Sequence, residues 1–244
     1  MIKLGGKWLE EELEIINKYA TTARSAYWIY IDLLNAGHKR TFKAVKMKIT
    51  DLGLLKPKRF IRGREMRIGY FDIESSGLVG DFSIMLSWSI KERDVDKVHH
   101  DVITKEDILS GNEDRRIIES LREALNKFDV IITYYGTRFD VPYTRTRMEY
   151  HDIQFPHFES LKHIDCYYIM RYRFKIHSNR LDSATEFFGI GGKTRLKPSV
   201  WNKAKYGDHK ALKYILKHNV ADVKILERLH KRVERYVKPL VRAI

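Results

Sequence analysis

The sequence predicts an α/β protein: a mixed sheet flanked by helices, with a small three-helix domain ahead of it. Three patterns lead there. The first is a pair of β-rich runs. One begins at Arg67-Ile68-Gly69 and continues through Tyr70–Leu78; the other is Phe82–Ile90. Gly77 and Gly80 suit the loop between them. The second is an amphipathic helical segment, Asn112–Lys127, followed by the short apolar run Val130–Tyr134, the kind found in buried strands. Strands first, then alternating helix and strand, imply a mixed sheet covered by helices. The third is residues 1–63, which hold three stretches of helical periodicity.

Composition narrows the class of partner. With 43% apolar and 12% aromatic residues, the 244-residue chain can build a real core, as one large domain or a large one with a small one. A formal net charge of +14 and a pI near 9.7 favour a polyanionic partner, nucleic acid foremost. Cys166 is the sole cysteine, so no intrachain disulfide can form, and a reducing compartment fits. The N-terminus lacks the apolar core of a signal peptide, and no run of 18 apolar residues exists. An intracellular protein, cytoplasmic or nucleoid-associated, is expected.

In residues 1–63 the first helix runs from Trp8 to Tyr19, with Glu10, Glu11, Glu12 and Glu14 placed to suit the macrodipole at its start. Thr21 or Thr22 caps a second, which Ala36-Gly37 ends near Asn35. Thr41 caps a third, Phe42–Leu52, with Phe42, Val45, Ile49 and Leu52 on one face and Lys43, Lys46, Met47 and Thr50 on the other. Basic residues dominate from His38 to Arg64, with Asp51 the only acid. Lys39, Arg40, Lys43 and Lys46 are therefore candidate phosphate contacts. Leu55–Arg67, with Pro57 and Gly63, reads as a basic linker, and the domain boundary falls near residue 63, leaving 64–244 as the second domain.

The chemistry of that second domain centres on carboxylates. Asp72 and Glu74 are two apart on a strand, hence on one face of an element otherwise built for burial. Two like charges side by side there call for a cation between them. Asp140 lies where the run ending Tyr134-Tyr135-Gly136 gives way to a helix; functional groups gather at such strand ends, a helix N-cap is the plainer reading, and the two are compatible because a capping position also fixes a carboxylate. His218 and Asp222 are four apart, neighbours on one face of a helical region spanning Asp208–Leu229 and broken near Lys217. His163-Ile164-Asp165 and Cys166–Met170 form another strand or strand-to-helix edge, and Leu181–Phe188 a short helix ended by Gly189. Gly191-Gly192-Lys193-Thr194 lacks the upstream glycine of a phosphate loop.

The order Phe71-Asp72-Ile73-Glu74-Ser75-Ser76-Gly77-Leu78, then Tyr135-Gly136-Thr137-Arg138-Phe139-Asp140-Val141-Pro142, then His218-Asn219-Val220-Ala221-Asp222-Val223 resembles the DEDD superfamily of 3′–5′ exonucleases. This is the ribonuclease H-like fold, nearest the proofreading domains of family B DNA polymerases, and the likeness covers about residues 67–236. Residues 1–63 resemble Myb/SANT-like helix-turn-helix modules, through Trp8 with Glu10–Glu12, Arg40-Thr41, Ala44-Val45, Lys48 and Leu52-Gly53-Leu54. Two features depart from the exonuclease pattern. Tyr135 stands where many relatives have Asn, and His218 stands at the spacing of the tyrosine branch.

The resemblance implies a DNA exonuclease using two Mg²⁺ or Mn²⁺ ions, with a place in DNA replication or repair. A single-stranded 3′ end would enter the active site and duplex would bind the N-terminal module. Asp72 would bridge both ions, with Glu74 and Asp222 on one and Asp140 on the other. His218 would orient or deprotonate the attacking water. Ser76, Gly77 and Leu78 would contact the terminal nucleotide through backbone amides and an apolar wedge. Arg138 would meet phosphate, and Tyr135 and Tyr143 are candidates for stacking bases, with a place in the core an equal alternative for both. The motifs leave open RNA as substrate and endonucleolytic cutting of branched DNA; an inactive DNA-binding relative would be marked by a lost carboxylate.

Overall fold

In the computed structural model the chain is described for residues 7–20, 26–52, 66–156, 160–191, 198–237 and 242–243. The expected caps Thr21 and Thr22, the linker up to residue 65 and the stretch Gly192-Lys193-Thr194 fall outside the described residues. The chain divides into two compact units, Met1–Arg64 and Glu65–Ile244.

The first unit contains α1 (Glu10–Ala20), α2 (Ala26–Asn35) and α3 (Phe42–Asp51). Ile16, Ile29, Leu33, Val45 and Ile49 bury together, one or two from each helix. The Thr41 hydroxyl accepts the Ala44 N–H at 3.1 Å, so α3 starts where a capping side chain is available. Of its predicted apolar face only Val45 and Ile49 are buried, while Phe42 and Leu52 stay 41% and 37% exposed. Glu12 is buried against Arg40, whose guanidinium meets both carboxylate oxygens at 2.7 and 2.6 Å and lies over the Trp8 ring.

Among the described residues the second unit is built on a six-stranded mixed sheet of β1 (Ile68–Ser75), β2 (Met85–Glu92), β3 (Val98–Val102), β4 (Val130–Thr133), β5 (Lys162–Asp165) and β6 (Arg242–Ala243). The order is β3-β2-β1-β4-β5-β6. β1, β4 and β5 run parallel, so their C-terminal ends share one edge of the sheet, while β2, β3 and β6 are antiparallel to their neighbours. The helices among its described residues are α4 (Lys105–Leu109), α5 (Arg115–Leu125), α6 (Asp140–Tyr150), α7 (Cys166–Arg173), α8 (Leu181–Phe187), α9 (Pro198–Lys205) and α10 (His209–Val233), followed by a 3-10 turn at Glu234–Tyr236.

Apolar side chains form two clusters. One gathers Phe71 and Ile73 with the stripe Ile117, Ile118, Leu121, Ala124 and Leu125 of α5. The other gathers Tyr70, Val130 and Ile132 with Ile169, Met170, Val223, Leu226 and Leu229. The α/β class and the helix-flanked mixed sheet are those the sequence predicts. Some bounds differ. β2 begins at Met85, because Phe82 turns out to solvent at 87% exposure. α10 is continuous for 25 residues, with no break at Lys217. Its N-cap is Asp208, which accepts the Ala211 N–H at 2.8 Å. α4 and α9 are additional to the sequence reading. Among the described residues no helix is long and apolar enough to cross a membrane.

Candidate active site

β1 organises the site. Alternation along the strand sets Tyr70, Asp72 and Glu74 on one face and Phe71 and Ile73 on the other. Tyr70 is buried in the apolar cluster with α7 and α10. Two and four residues further on, the same face meets the middle of α10. There the Asn219 amide donates to Asp72 Oδ2 at 2.6 Å, while the Ser87 hydroxyl on β2 approaches Asn219 Oδ1 at 3.4 Å. His218 Nε2 stands 3.6 Å from Asp222 Oδ2 and 3.9 Å from Glu74 Oε1. His218 and Asp222 are both buried, so they are not an exposed i,i+4 pair.

Asp140 opens α6, after the turn that follows the neighbouring strand β4. Pairing of β4 to β1 stops at Ile132 opposite Tyr70, which leaves the edge of β1 uncovered beyond it. The Asp140 carboxylate fills that gap and accepts the Ile73 N–H at 3.0 Å. The N-cap reading of Asp140 is corrected here. Phe139 holds the cap position of α6 with no side-chain bond, and the Asp140 carboxylate points across to β1.

The turn that carries Asp140 is tightly built. A Cβ on Gly136 would run into the Thr133 side chain, so only glycine fits. Tyr135 takes a left-handed backbone conformation, φ +69°, which costs a non-glycine residue roughly 1–2 kcal/mol. Asp165, at the end of β5, holds the turn in place. Its carboxylate accepts the Tyr135 N–H at 2.8 Å and the Thr137 N–H at 2.9 Å, and it also caps α7 through the Tyr167 N–H at 3.0 Å.

Electrostatics tie the four acids together. Burial holds the Asp72 carboxyl well above the ordinary carboxylate range. The charges of Asp140, Glu74 and Asp222 reinforce the rise, and the Asn219 amide opposes it. Burial pushes Asp140 up to about 7, against the pull of the Ile73 N–H and with a smaller upward push from Asp165. Such a cluster is ionised at neutral pH only with a compensating cation. Four carboxylates are the donor set that hard divalent cations take, so the residues present fit a divalent metal centre.

A tighter acidic group lies elsewhere. Among the described residues, the one set of three whose ligand atoms all lie within 4.8 Å is Glu113, Asp114 and His151. The four candidate carboxylates are spread more widely, not as a closed cage for one ion. The tight trio already holds a cation: the buried Arg147 guanidinium meets Asp114 through Nε at 2.9 Å and Nη2 at 2.6 Å, and also reaches Glu113. Arg147 further donates to the Gly80 carbonyl at 2.9 Å, and Asp114 accepts the Met85 N–H at 2.6 Å. This network secures the β1–β2 loop, and as the chain stands a guanidinium occupies the place a metal would take.

The remaining expected contacts divide. Leu78 is 84% exposed, and Arg138 and Tyr135 are exposed. The Ser76 N–H donates to the Ile84 carbonyl at 2.8 Å and its hydroxyl accepts the Ile84 N–H at 3.0 Å, so its amide closes the loop rather than facing outward. A Cβ on Gly77 would crowd Ser83. Tyr143 is buried with its hydroxyl 2.8 Å from that of Ser83, which makes it a core residue and not a stacking surface. In the first unit Lys39, Lys43 and Lys46 are exposed. Arg40 is corrected to an internal latch, its guanidinium turned onto Glu12, Trp8 and the Lys7 carbonyl. Asn219 and Asp165 are missed by the sequence reading. The signals for them are slight: Asn219 adjoins His218, and Asp165 ends an apolar strand.

Comparison with known proteins places the fold. A solved family B DNA polymerase from the hyperthermophilic archaeon Pyrobaculum calidifontis aligns with 70% of this chain at a TM-score of 0.57 and 20% identity. The aligned part is 25% of the polymerase, so this chain spans about a quarter of that protein's length. No curated protein matches the chain in sequence. The family model described as RNase_H superfamily matches residues 69–234, a span that contains Asp72, Glu74, Asp140, His218 and Asp222. That match covers more than half of the chain, and the chain belongs to the RNase H superfamily.

Proposed function

We propose that residues 65–244 form a 3′–5′ exonuclease that hydrolyses DNA phosphodiester bonds with Mg²⁺ or Mn²⁺, and that the basic N-terminal unit holds the enzyme on duplex DNA. One observation carries the nuclease reading. Asp72 lies within the electrostatic reach of Glu74, Asp140 and Asp222, acids drawn from three separate segments into one cluster in which Asp140 and Asp222 are buried and Asp72 and Glu74 half-buried. Asp72, Glu74, Asp140 and Asp222 would hold two divalent ions. When bound, these supply charge stabilisation for the attacking and leaving oxygens of the phosphodiester. Exonuclease chemistry and polarity follow the motif order and the resemblance to proofreading domains.

The chain's own groups have distinct tasks in this scheme. Asn219 fixes the orientation of the Asp72 carboxylate, and the Ile73 N–H fixes that of Asp140. His218, between Glu74 and Asp222, would orient a water molecule and take its proton. Exposed Lys39, Lys43 and Lys46 offer phosphate contacts on the Myb/SANT-like unit.

The test uses DNA labelled at either end, with Mg²⁺, with Mn²⁺ or with EDTA. Shortening from the 3′ end in metal alone is expected. Asp72→Asn should lower the rate more than about 100-fold, since even partners one shell beyond a metal's ligands affect activity 10–100-fold. Its circular dichroism should stay unchanged. Undiminished cleavage by Asp72→Asn, or cleavage in EDTA, would remove the site from the reaction.

A further inference from the structure

A file of tyrosines leaves the site at the shared C-terminal edge of β4 and β5. Tyr135 sits in the turn before Asp140, and Tyr167, Tyr168 and Tyr172 follow on α7. Ring centroids step from Tyr135 to Tyr167 in 4.8 Å, on to Tyr168 in 5.2 Å and on to Tyr172 in 5.9 Å. The last two rings lie nearly parallel, at 18°. The rings at the two ends of the file are open to a ligand: Tyr135 is 45% and Tyr172 is 63% exposed. Tyr135 also holds its place in spite of a backbone conformation that disfavours large side chains.

Charge gives the file a preferred occupant. Arg171 donates to the Tyr167 hydroxyl at 3.0 Å, and Arg138 Nε lies 3.4 Å from the Tyr168 hydroxyl. Arg171, Arg173, Lys175 and Arg180 are all exposed, and residues 166–181 contain no Asp or Glu. Flat aromatic faces set among exposed cations, with the neighbouring Asp165 carboxylate buried and taken up by backbone N–H groups, match a strand that carries bases on one side and phosphates on the other. A duplex keeps its bases stacked inside and has no free faces to offer.

We infer that Tyr135, Tyr168 and Tyr172, with Arg138 and Arg171, form a stacking platform for single-stranded nucleic acid that leads to the carboxylate cluster. The direction of the lead rests on the nuclease reading; binding to the platform does not.

The experiment keeps the two apart by using the full chain in EDTA. A single-stranded oligonucleotide carrying 5-iodouracil is photo-crosslinked in the presence of excess unlabelled duplex, which occupies the N-terminal unit, and the attached peptides are mapped. Crosslinks are expected at Tyr135, Tyr168 or Tyr172. In the same buffer Tyr172→Ala and Tyr168→Ala should each weaken single-strand binding about tenfold, the scale of one lost base stack. Tyr172→Phe should bind within about twofold of wild type, as should Tyr206→Ala, an exposed tyrosine outside the file. Tyr172 is mostly exposed, so its replacement leaves the fold intact, and circular dichroism checks Tyr168→Ala. Crosslinks confined to other segments, wild-type affinity in both alanine variants, or loss of the platform crosslinks when duplex is added before irradiation would each overturn the platform. Wild-type cleavage in Mg²⁺ by protein with no platform crosslinks would leave the nuclease reading standing. Platform crosslinks in a chain that never cleaves would do the reverse.

Discussion

Tyr135 shows how much one residue can reveal. The backbone there is left-handed, a conformation Asn adopts readily and Tyr does not. The Asp165 carboxylate compensates by taking two N–H groups of the turn. Tyr135→Asn should therefore be more stable than Tyr135→Ala by about 1 kcal/mol, or roughly 2–4 °C in Tm. Both variants lose the ring, but only Asn suits the backbone, so equal melting temperatures would show the conformation to be unstrained. Asn219 makes a related point. A polar side chain on a helix looks solvent-bound in sequence, yet it is fully buried and holds Asp72 through one oxygen.

At the scale of an element, α10 combines two tasks along 25 residues. Its apolar positions Val223, Leu226, Leu229 and Val233 bury in the cluster under the sheet, its polar positions His218 and Asn219 reach the carboxylates of β1, and Asp222 adds its own charge beside them. This explains why the sequence reading breaks the helix near Lys217. The apolar stripe is interrupted where side chains face the site, while the backbone continues. Nearer its C-terminus His230 is buried with Nδ1 3.3 Å from the Tyr70 hydroxyl. Burial pushes its imidazole down to about 4. Glu234 opposes the shift, and Arg93 and Lys231 add to it. An unfolded chain takes up that proton below about 6.5, whereas the folded chain resists it until about 4. Stability is therefore full above 6.5 and falls as pH drops through that window, by roughly 3 kcal/mol in all. His230→Phe should flatten this part of the profile in urea titrations between pH 7 and 4. An unaltered slope would mean the imidazole is protonated in the folded state.

For the whole molecule the decisive property is charge. A net +14 makes binding to nucleic acid depend steeply on salt. The exposed lysines of α3 are the sharpest place to test it. Replacing Lys43 and Lys46 together by Ser should make the slope of log K against log salt for duplex DNA less negative by about 1.8. Single-strand crosslinking at α7 should be unaffected. An unchanged slope would show that these lysines do not touch phosphate. Arg40 belongs outside that set, because removing it would leave buried Glu12 without its main partner.

Much of this architecture could be read from the order of residues. Alternation marks β1, the apolar run marks β4, and three spaced acidic motifs mark the acids, because strand and helix periods are local properties of the chain. Sequence does not say which polar groups meet once the elements pack. The bond from Asn219 to Asp72, the grip of Asp165 on the Asp140 turn and the inward rotation of Arg40 depend on pairs separated by 28 to 147 positions. Periodicity carries no record of distances between remote segments. They are set by strand order, by the point at which β4 stops covering β1, and by the line α10 takes across the sheet.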